Sequence, residues 1–563
     1  MPLRFASAWV LGTSALMAVV VLQFNLPNLG NNLLPRNLFA WALLVAATGG
    51  LWVYAVRQPQ FYWSNGCYFW LIPPSAVMLH SVFMPAAQPH YALLAAGALL
   101  VFSLWLVGLV QARLSDQEWY RISQVVLGGA FVLVLLALPT ANYLNRPEWL
   151  QSLPLVMKLP EGGFQQRNVF ASFLGSALIW AWAMRLRAQR QSWTGHLALG
   201  VMAFFVAWCI YLSGSRTGSV GVSICVGLLL LAAVWRGWRG AGLWVPLISV
   251  IAALALTIYL PIEDINARMA DLADGSSTRT RLSMWQVAWH TGLQAPWTGH
   301  GLGSFTEAFH PVFVSLAQSG VSLSYVNYLN HPHNETLLWW VETSLFGWVF
   351  VLLPWVVSIL YLGLWRNPSA LLFCAALGPI LLHTQTEFPL HTSGVHWWLA
   401  GLIIVSTVRR DLLPQRPMQL KPLWPGVIAT FSLVAVITLV HTGWLSYQNW
   451  TRAKRPELPL AEHIERRAQD PELNHFILGR EATDFWILTL SRIALSQSNA
   501  AWVGELLPSL ESMQTRWQGP AVWNALAQAY ALRDQRQQLV DHLRWVSALQ
   551  PAEGAKLRAQ FQP

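Results

Sequence analysis

Tyr91-Ala-Leu-Leu-Ala-Ala-Gly-Ala-Leu-Leu-Val-Phe-Ser-Leu-Trp-Leu-Val-Gly-Leu-Val-Gln111 decides the fold. It holds no charged residue, and about 20 mainly apolar residues are what one helix needs to cross a bilayer. Reading outward, thirteen such stretches appear: 5–24, 37–56, 67–85, 91–111, 121–140, 168–185, 196–213, 217–235, 241–260, 336–364, 369–384, 393–408 and 424–445. Composition points the same way. Of 563 residues, 11% are Asp, Glu, Lys or Arg and 55% are hydrophobic, with 33 Trp, against about 25% charged in a soluble chain. Such a chain cannot cover its surface with polar groups. The sequence therefore predicts an all-α, polytopic membrane bundle. The 5–24 stretch has little basic charge ahead of it and no small-residue cleavage site, so it reads as an anchor and not a removed signal.

The charges divide the chain further. Residues 446–563 hold 13 basic and 12 acidic side chains, the balance of a water-soluble body. Four regions are expected: membrane spans over 1–260, a large loop over 261–335, further spans over 336–445 and a helical tail over 446–563. Within the tail, Ala501–Met513, Pro520–Arg533 and Gln535–Ser547 show helical spacing of Leu, Ala, Trp and Tyr. Trp523-Asn-Ala-Leu-Ala-Gln-Ala-Tyr530 resembles a tetratricopeptide-type helix, which suits either a structural cap or a docking platform.

Lys and Arg in short loops set membrane orientation. With the N-terminus in the cytoplasm, fourteen face inward (Arg4, Arg57, Arg113, Arg121, Arg185, Arg187, Arg190, Arg236, Arg239, Arg366, Arg409, Arg410, Arg416 and Lys421). Five face outward: Arg36, Arg146, Lys158, Arg167 and Arg216. An odd number of spans then puts the tail outside, in the periplasm of a bacterium with two membranes. The chain has no Lys/Arg-rich run interleaved with aromatics, so nucleic acid is not an expected partner. It has neither a P-loop nor a G-x-G-x-x-G opening a helix after a strand. Cys67, Cys209, Cys225 and Cys374 lie in apolar stretches without metal-type spacing and read as small buried hydrophobes.

On this topology four separate segments share the outer face. The first is Glu161-Gly-Gly-Phe-Gln-Gln166-Arg167-Asn168, and the second is Ser213-Gly-Ser-Arg216-Thr-Gly218. The third is the long loop, with Thr278-Arg279-Thr-Arg281, Gly299-His300-Gly-Leu-Gly303-Ser-Phe305 and His331-Pro-His333-Asn334-Glu335. The fourth is His383-Thr-Gln-Thr-Glu387-Phe-Pro-Leu-His391. Arg216 reads either as an interfacial anchor or as a phosphate ligand, since its planar fork suits phosphate oxygens and a Gly/Ser turn admits close approach. Arg279 and Arg281 are either solvated loop charges or further anion ligands. Arg281 leads into an amphipathic stretch (Leu282, Trp285, Ala288) able to lie on a membrane. His331 and His333 lack a partner at zinc-type spacing, so no metal is expected, and one of them suits a general base. Glu342 falls in an apolar run, where a carboxylate should turn inward and find a partner. The loop acids Glu263, Asp264, Asp271 and Asp274 read as a solvated face.

These motifs carry a resemblance. His331-Pro-His333-Asn334-Glu335-Thr-Leu337 with Glu342 and Gly347, the Ser213–Gly218 turn and the Gly299–Phe305 loop resemble the O-antigen ligase and Wzy-type polymerase superfamily. Gln166-x-Asn168 entering a span, Glu387-Phe-Pro-Leu-His391 and the long tail resemble its bacterial O-linking protein oligosaccharyltransferase branch (PglL or pilin-glycosylase type). Two positions depart from that branch: Arg167 stands where Pro is common, and His391-Thr392 where an aromatic is common. The resemblance implies an undecaprenyl-diphosphate-linked glycan as donor, Ser or Thr of an exported pilin-like protein as acceptor, and no cofactor. It implies Arg216, Arg281 and Arg279 at the diphosphate, and His333 as base with Asn334 beside it. Gln166, Asn168, His331, His300, Glu387 and His391 would orient sugar or acceptor. Rival readings are a ligase acting on lipid A-core, a glycan polymerase, and a transporter of polyprenyl-linked glycans.

Overall fold

A computed structural model describes residues 2–22, 33–63, 65–84, 89–138, 164, 166–188, 192–259, 276–327, 329–361, 368–407, 415–417, 423–453, 479–516 and 518–561. They are almost entirely helical. Among the described residues, ten helices are long and apolar enough to cross a membrane. Three shorter apolar helices, Phe5–Val21, Leu371–Thr384 and Gly394–Thr407, fall on the remaining expected spans. The protein is an all-α polytopic membrane protein. The chain folds as two compact units: Met1–Ser75, Ala96–Asp274 and Val351–Val440 form the first, and Ala76–Ala95, Gly275–Phe350 and His441–Pro563 the second.

The membrane helices in chain order are α1 (Pro2–Leu16), α2 (Leu33–Ala55), α3 (Asn65–Phe83), α4 (Pro89–Ala112), α5 (Asp116–Ala137), α6 (Arg167–Arg187), α7 (Trp193–Leu212), α8 (Arg216–Trp235) and α9 (Ala241–Tyr259). They are followed by α10 (Ser276–Gln294) and α11 (Phe305–Gln318) of the long loop, then α12 (Glu335–Gly347), α13 (Leu353–Tyr361), α14 (Pro368–Thr384), α15 (Pro389–Thr392), α16 (Gly394–Thr407) and α17 (Trp424–Ala453). The tail contributes α18 (Gly479–Ser496), α19 (Ala500–Met513), α20 (Pro520–Leu532), α21 (Arg536–Leu549) and α22 (Pro551–Phe561).

In the first unit α6 is the hub. Val169 through Leu186 are all buried, and α5, α7, α8, α9, α14 and α16 pack around it. Bilayer helices gain little from hydrophobicity between themselves, so close packing and interhelical hydrogen bonds hold them. Both are present. A Cβ on Gly175 would lie 2.5 Å from Val222 Cγ2, so the glycine brings α6 and α8 together. Trp180 Nε1 donates to Ser406 Oγ at 2.9 Å and Trp182 Nε1 to the Gly242 carbonyl at 3.0 Å. A three-residue ribbon pairs β1 (Gln60–Tyr62) antiparallel with β2 (Gln415–Pro417), and Gln111 closes it with 2.8 Å bonds to both main-chain groups of Tyr62. Cys67, Cys209 and Cys225 are buried, as expected. Cys374 is exposed, which corrects its reading as buried: no described residue covers the face of α14 on which it stands.

In the second unit the loop and the tail share one core. Met284, Val287 and Ala288 of α10 and Phe305, Phe309 and Phe313 of α11 are buried in the same cluster as Leu506, Leu510, Trp523, Leu526 and Leu543. This corrects the reading of the α10 stripe as membrane-facing. Ala288 is fully buried and Trp285 packs against the core, and only Leu282 stays exposed. Each tail helix packs on the next, and α20 touches both α18 and α22.

Candidate active site

The first unit gathers three of the expected residues. Glu387 follows α14 and is 4% exposed. Its Oε2 accepts from Gln166 Nε2 at 3.2 Å and its Oε1 from Asn168 Nδ2 at 3.4 Å. A carboxylate out of water needs donors on its oxygens, and the entry to α6 supplies two. Arg167 stands between them as the first residue of that helix. Asn168 Oδ1 then accepts from Ser215 Oγ at 2.7 Å, while Ser215 Oγ caps α8 by accepting from the Gly218 N–H at 3.0 Å. One line of hydrogen bonds thus runs from the start of α8 to Glu387. Thr217 Oγ1 and Thr386 Oγ1, 3.0 Å apart, form a second tie. Arg216 is the half-buried first residue of α8, where the helix dipole adds positive potential to its own charge. A Cβ on Gly218 would lie 2.4 Å from Ala171 Cβ, so α8 closes on α6 only with glycine there.

Next to this cluster lies a polar group that sequence reasoning left unassigned. Ser172 Oγ is 2.8 Å from His383 Nδ1 and 3.1 Å from His396 Nε2, and His396 Nδ1 is 2.8 Å from Ser393 Oγ. All four side chains are buried. They fasten α6 to α14 and α16, and the Glu387 N–H donates to the His383 carbonyl at 2.9 Å. His391 is exposed on α15.

The second unit carries the histidine segment. The rings of His331 and His333 lie 4.3 Å apart, centroid to centroid. His331 Nδ1 bonds Asn330 Oδ1 at 2.5 Å, and an amide oxygen only accepts, so Nδ1 carries the proton. His333 has φ +50°, the left-handed region that a bulky residue seldom adopts, at a cost of about 1–2 kcal/mol. Strain of this kind concentrates at working sites. Asn334 follows in extended conformation, and its Oδ1 accepts from the Leu337 N–H at 3.0 Å, capping α12. Its position thereby fixes the geometry of the chain at His333. Glu335 and Glu342 are 7% and 4% exposed.

The glycine loop serves this segment through its backbone. The N–H groups of His300 and Gly301 donate to the carbonyls of Val341 and Glu342 at 3.1 and 2.9 Å. Gly299 has φ +72°, and a Cβ there would lie 2.4 Å from the Glu342 carbonyl. The helix gives way beside this contact: Ser344 is non-helical, with φ +46°. The His300 imidazole donates from Nε2 to the Thr291 carbonyl at 2.9 Å, an anchoring bond within the unit. Trp340 stacks on Trp289 at 4.9 Å and bonds its carbonyl at 3.1 Å, tying α12 to α10. Arg279 is exposed and Arg281 half-buried in the first turns of α10. Glu161, Glu263, Asp264, Asp271 and Asp274 lie outside the described residues.

Ser215 stands within its quoted turn, but sequence reasoning gave it no role. Its signal was the capping pattern, a Ser three residues before Gly218 at the start of an apolar run.

Residues 201–352 match the family described as O-Antigen ligase, and residues 371–562 match the family described as Virulence factor membrane-bound polymerase, C-terminal. No curated protein matches the chain. The two matched regions take in more than half of the chain. They contain Arg216, the glycine loop and the histidine segment in one, and Glu387 and the tail in the other. The chain belongs to the O-antigen ligase superfamily, whose members are glycan ligases and polymerases acting on lipid-linked glycans.

Proposed function

We propose that this protein transfers a glycan en bloc from undecaprenyl diphosphate to Ser or Thr hydroxyls of exported proteins such as pilins, as an oligosaccharyltransferase of the bacterial inner membrane. The N-terminus faces the cytoplasm, and the chemistry takes place on the periplasmic side. The observation that carries the protein-acceptor reading is the core shared by the long loop and the tail. The strained His333 belongs to the same folded body as five tail helices. A body of that size beside a candidate base offers the surface that a macromolecular acceptor needs.

In this reading the acceptor oxygen attacks the anomeric carbon, the bond from that carbon to the phosphate oxygen breaks, and the diphosphate leaves on its lipid. His333 takes the hydroxyl proton. Arg216, with Arg281 and Arg279, neutralises the charge that builds on the departing diphosphate. Gln166 and Asn168 fix Glu387, and Ser215 couples that carboxylate to the start of α8. Attack from the side opposite the leaving group inverts the anomeric centre. The test is transfer by purified protein from a lipid-linked glycan to a pilin, with Arg216→Ala beside it. The variant is expected to fold and lose transfer, and wild-type turnover by it would remove Arg216 from the mechanism.

A second reading is polymerisation, with the hydroxyl of another lipid-linked glycan as acceptor. The description of the family matched by residues 371–562 favours it. Lengthening of the lipid-linked glycan in the same reaction, with the pilin unmodified, would select it.

A further inference from the structure

The tail contains a cavity that no step above uses. It lies between α18 and α20 and has a volume of about 400 Å³, within the roughly 300–1,000 Å³ range of ligand sites. Leu495, Ala521 and Ala525 give it an apolar floor, and Arg492, Asn524 and Gln528 give it a polar edge. Arg492 is the charged member of this lining. It is exposed and has no ion pair among the described residues. Asn524 and Gln528 are four residues apart, on one face of α20, and so about 6 Å apart along its axis. Two residues of an extended chain span about 6.6 Å. The two carboxamides therefore match the spacing of alternate peptide groups on one edge of an extended segment. Asn524 Nδ2 donates to the Pro520 carbonyl at 2.8 Å, which directs its Oδ1 as an acceptor for a peptide N–H.

We infer that this groove seats an extended, acidic segment of the acceptor protein. Asn524 and Gln528 hold its backbone, and Arg492 pairs with one of its carboxylates. The inference rests on the protein-acceptor reading above. It adds a docking site whose recognition element is acidic polypeptide and not glycan. A segment held there raises the local concentration of neighbouring Ser and Thr without touching the reacting atoms.

The experiment uses the full chain in nanodiscs and three fluorescein-labelled ten-residue Ala/Ser peptides: one with three Glu, one with Gln at those positions and one with Lys. Fluorescence anisotropy is expected to show the Glu peptide binding about tenfold more tightly than the Gln peptide, and the Lys peptide weakest. Arg492→Glu should reverse that order. Asn524→Leu with Gln528→Leu should weaken all three. Both sets change exposed or half-buried side chains, and the melting temperature checks that they fold. Equal affinity for the three peptides, or indifference to Arg492→Glu, overturns the inference. Binding needs no donor, so this result stands apart from transfer. Groove binding without protein modification would overturn the protein-acceptor reading alone. Protein modification whose KM ignores Arg492→Glu would overturn the groove alone.

Discussion

His310 Nδ1 lies 2.9 Å from the carbonyl of Thr515, joining the long loop to the tail from a fully buried imidazole. The same nitrogen reaches the Thr306 carbonyl at 2.7 Å, so it carries the proton, and Nε2 accepts from the Tyr325 hydroxyl at 3.0 Å. Tyr325 in turn packs against Trp523, with ring centroids 6.3 Å apart. His542 repeats the arrangement in the tail: Nε2 donates to the Trp523 carbonyl at 2.9 Å and Nδ1 accepts from Gln514 at 3.2 Å. Both imidazoles are built in as neutral rings, and burial pulls each down to about 4 from 6.5.

These two rings give the second unit one acid-sensitive element. A ring protonated when unfolded but neutral when folded stabilises the fold above pH 6.5, and the benefit is lost as pH falls toward 4. Each histidine accounts for about 3 kcal/mol over that window, at 1.36 kcal/mol per pKa unit. Thermal unfolding of the full chain should show a falling melting temperature between pH 6.5 and 4, with a shallower slope in His310→Gln. An unchanged slope would detach His310 from acid sensitivity.

Removing the tail is expected to unfold the loop as well. Phe305, Phe309 and Phe313 are buried in one cluster with Leu506, Leu510, Trp523 and Leu543, and α11 packs on α21, so a chain ending before Gly479 would open that core to water. Limited proteolysis of the truncated protein should cut within 305–330. Protection of that segment equal to wild type would contradict the shared core.

Ser215→Ala removes both the cap of α8 and the donor to Asn168 Oδ1, at a cost of about 1–2 kcal/mol. Transfer should fall by about an order of magnitude or more, since the first turn of α8 carries Arg216. Ser215→Thr keeps the hydroxyl and should keep most of the activity. Equal activity in the Ala and Thr variants would leave the hydrogen-bond line without a role.

Gly299→Ala is expected to be severe. The new Cβ would meet the Glu342 carbonyl at 2.4 Å on a backbone with φ +72°, so the loop must leave α12. A loss of about 2–4 kcal/mol in the second unit is expected, read from the melting temperature. Gly320→Ala, also with positive φ but with open space around it, should cost less. Similar losses at both positions would mean that backbone conformation, and not the contact with Glu342, sets the penalty.

The sequence made the spans legible because each needs its own apolar run, and each of the thirteen runs carries a helix among the described residues. It also brought Gln166, Asn168, Glu387 and the histidine segment forward as candidates, through polar motifs gathered on one face and through the resemblance they carry. The pairings were not legible. Ser215 is 47 residues from Asn168 and Glu387 is 221 from Gln166, and nothing local in either segment names its partner. The same holds for the shared core. The stripe of α10 reads alike whether it lies on lipid or on α11 and α12, so only the tertiary contacts decide. His300 stood out as a polar residue in a glycine loop, yet its imidazole anchors to Thr291.

The measurement that bears most directly on the central claim is the intact mass of exported proteins. The chain would be expressed with a pilin in a cell that makes a polyprenyl-linked glycan and lacks its own ligase, and the lipopolysaccharide ladder would be recorded in parallel. The account predicts a glycan-sized mass increment on Ser or Thr of the pilin that disappears in His333→Ala. Unmodified pilin together with a restored ladder would contradict it and make the protein a lipopolysaccharide ligase.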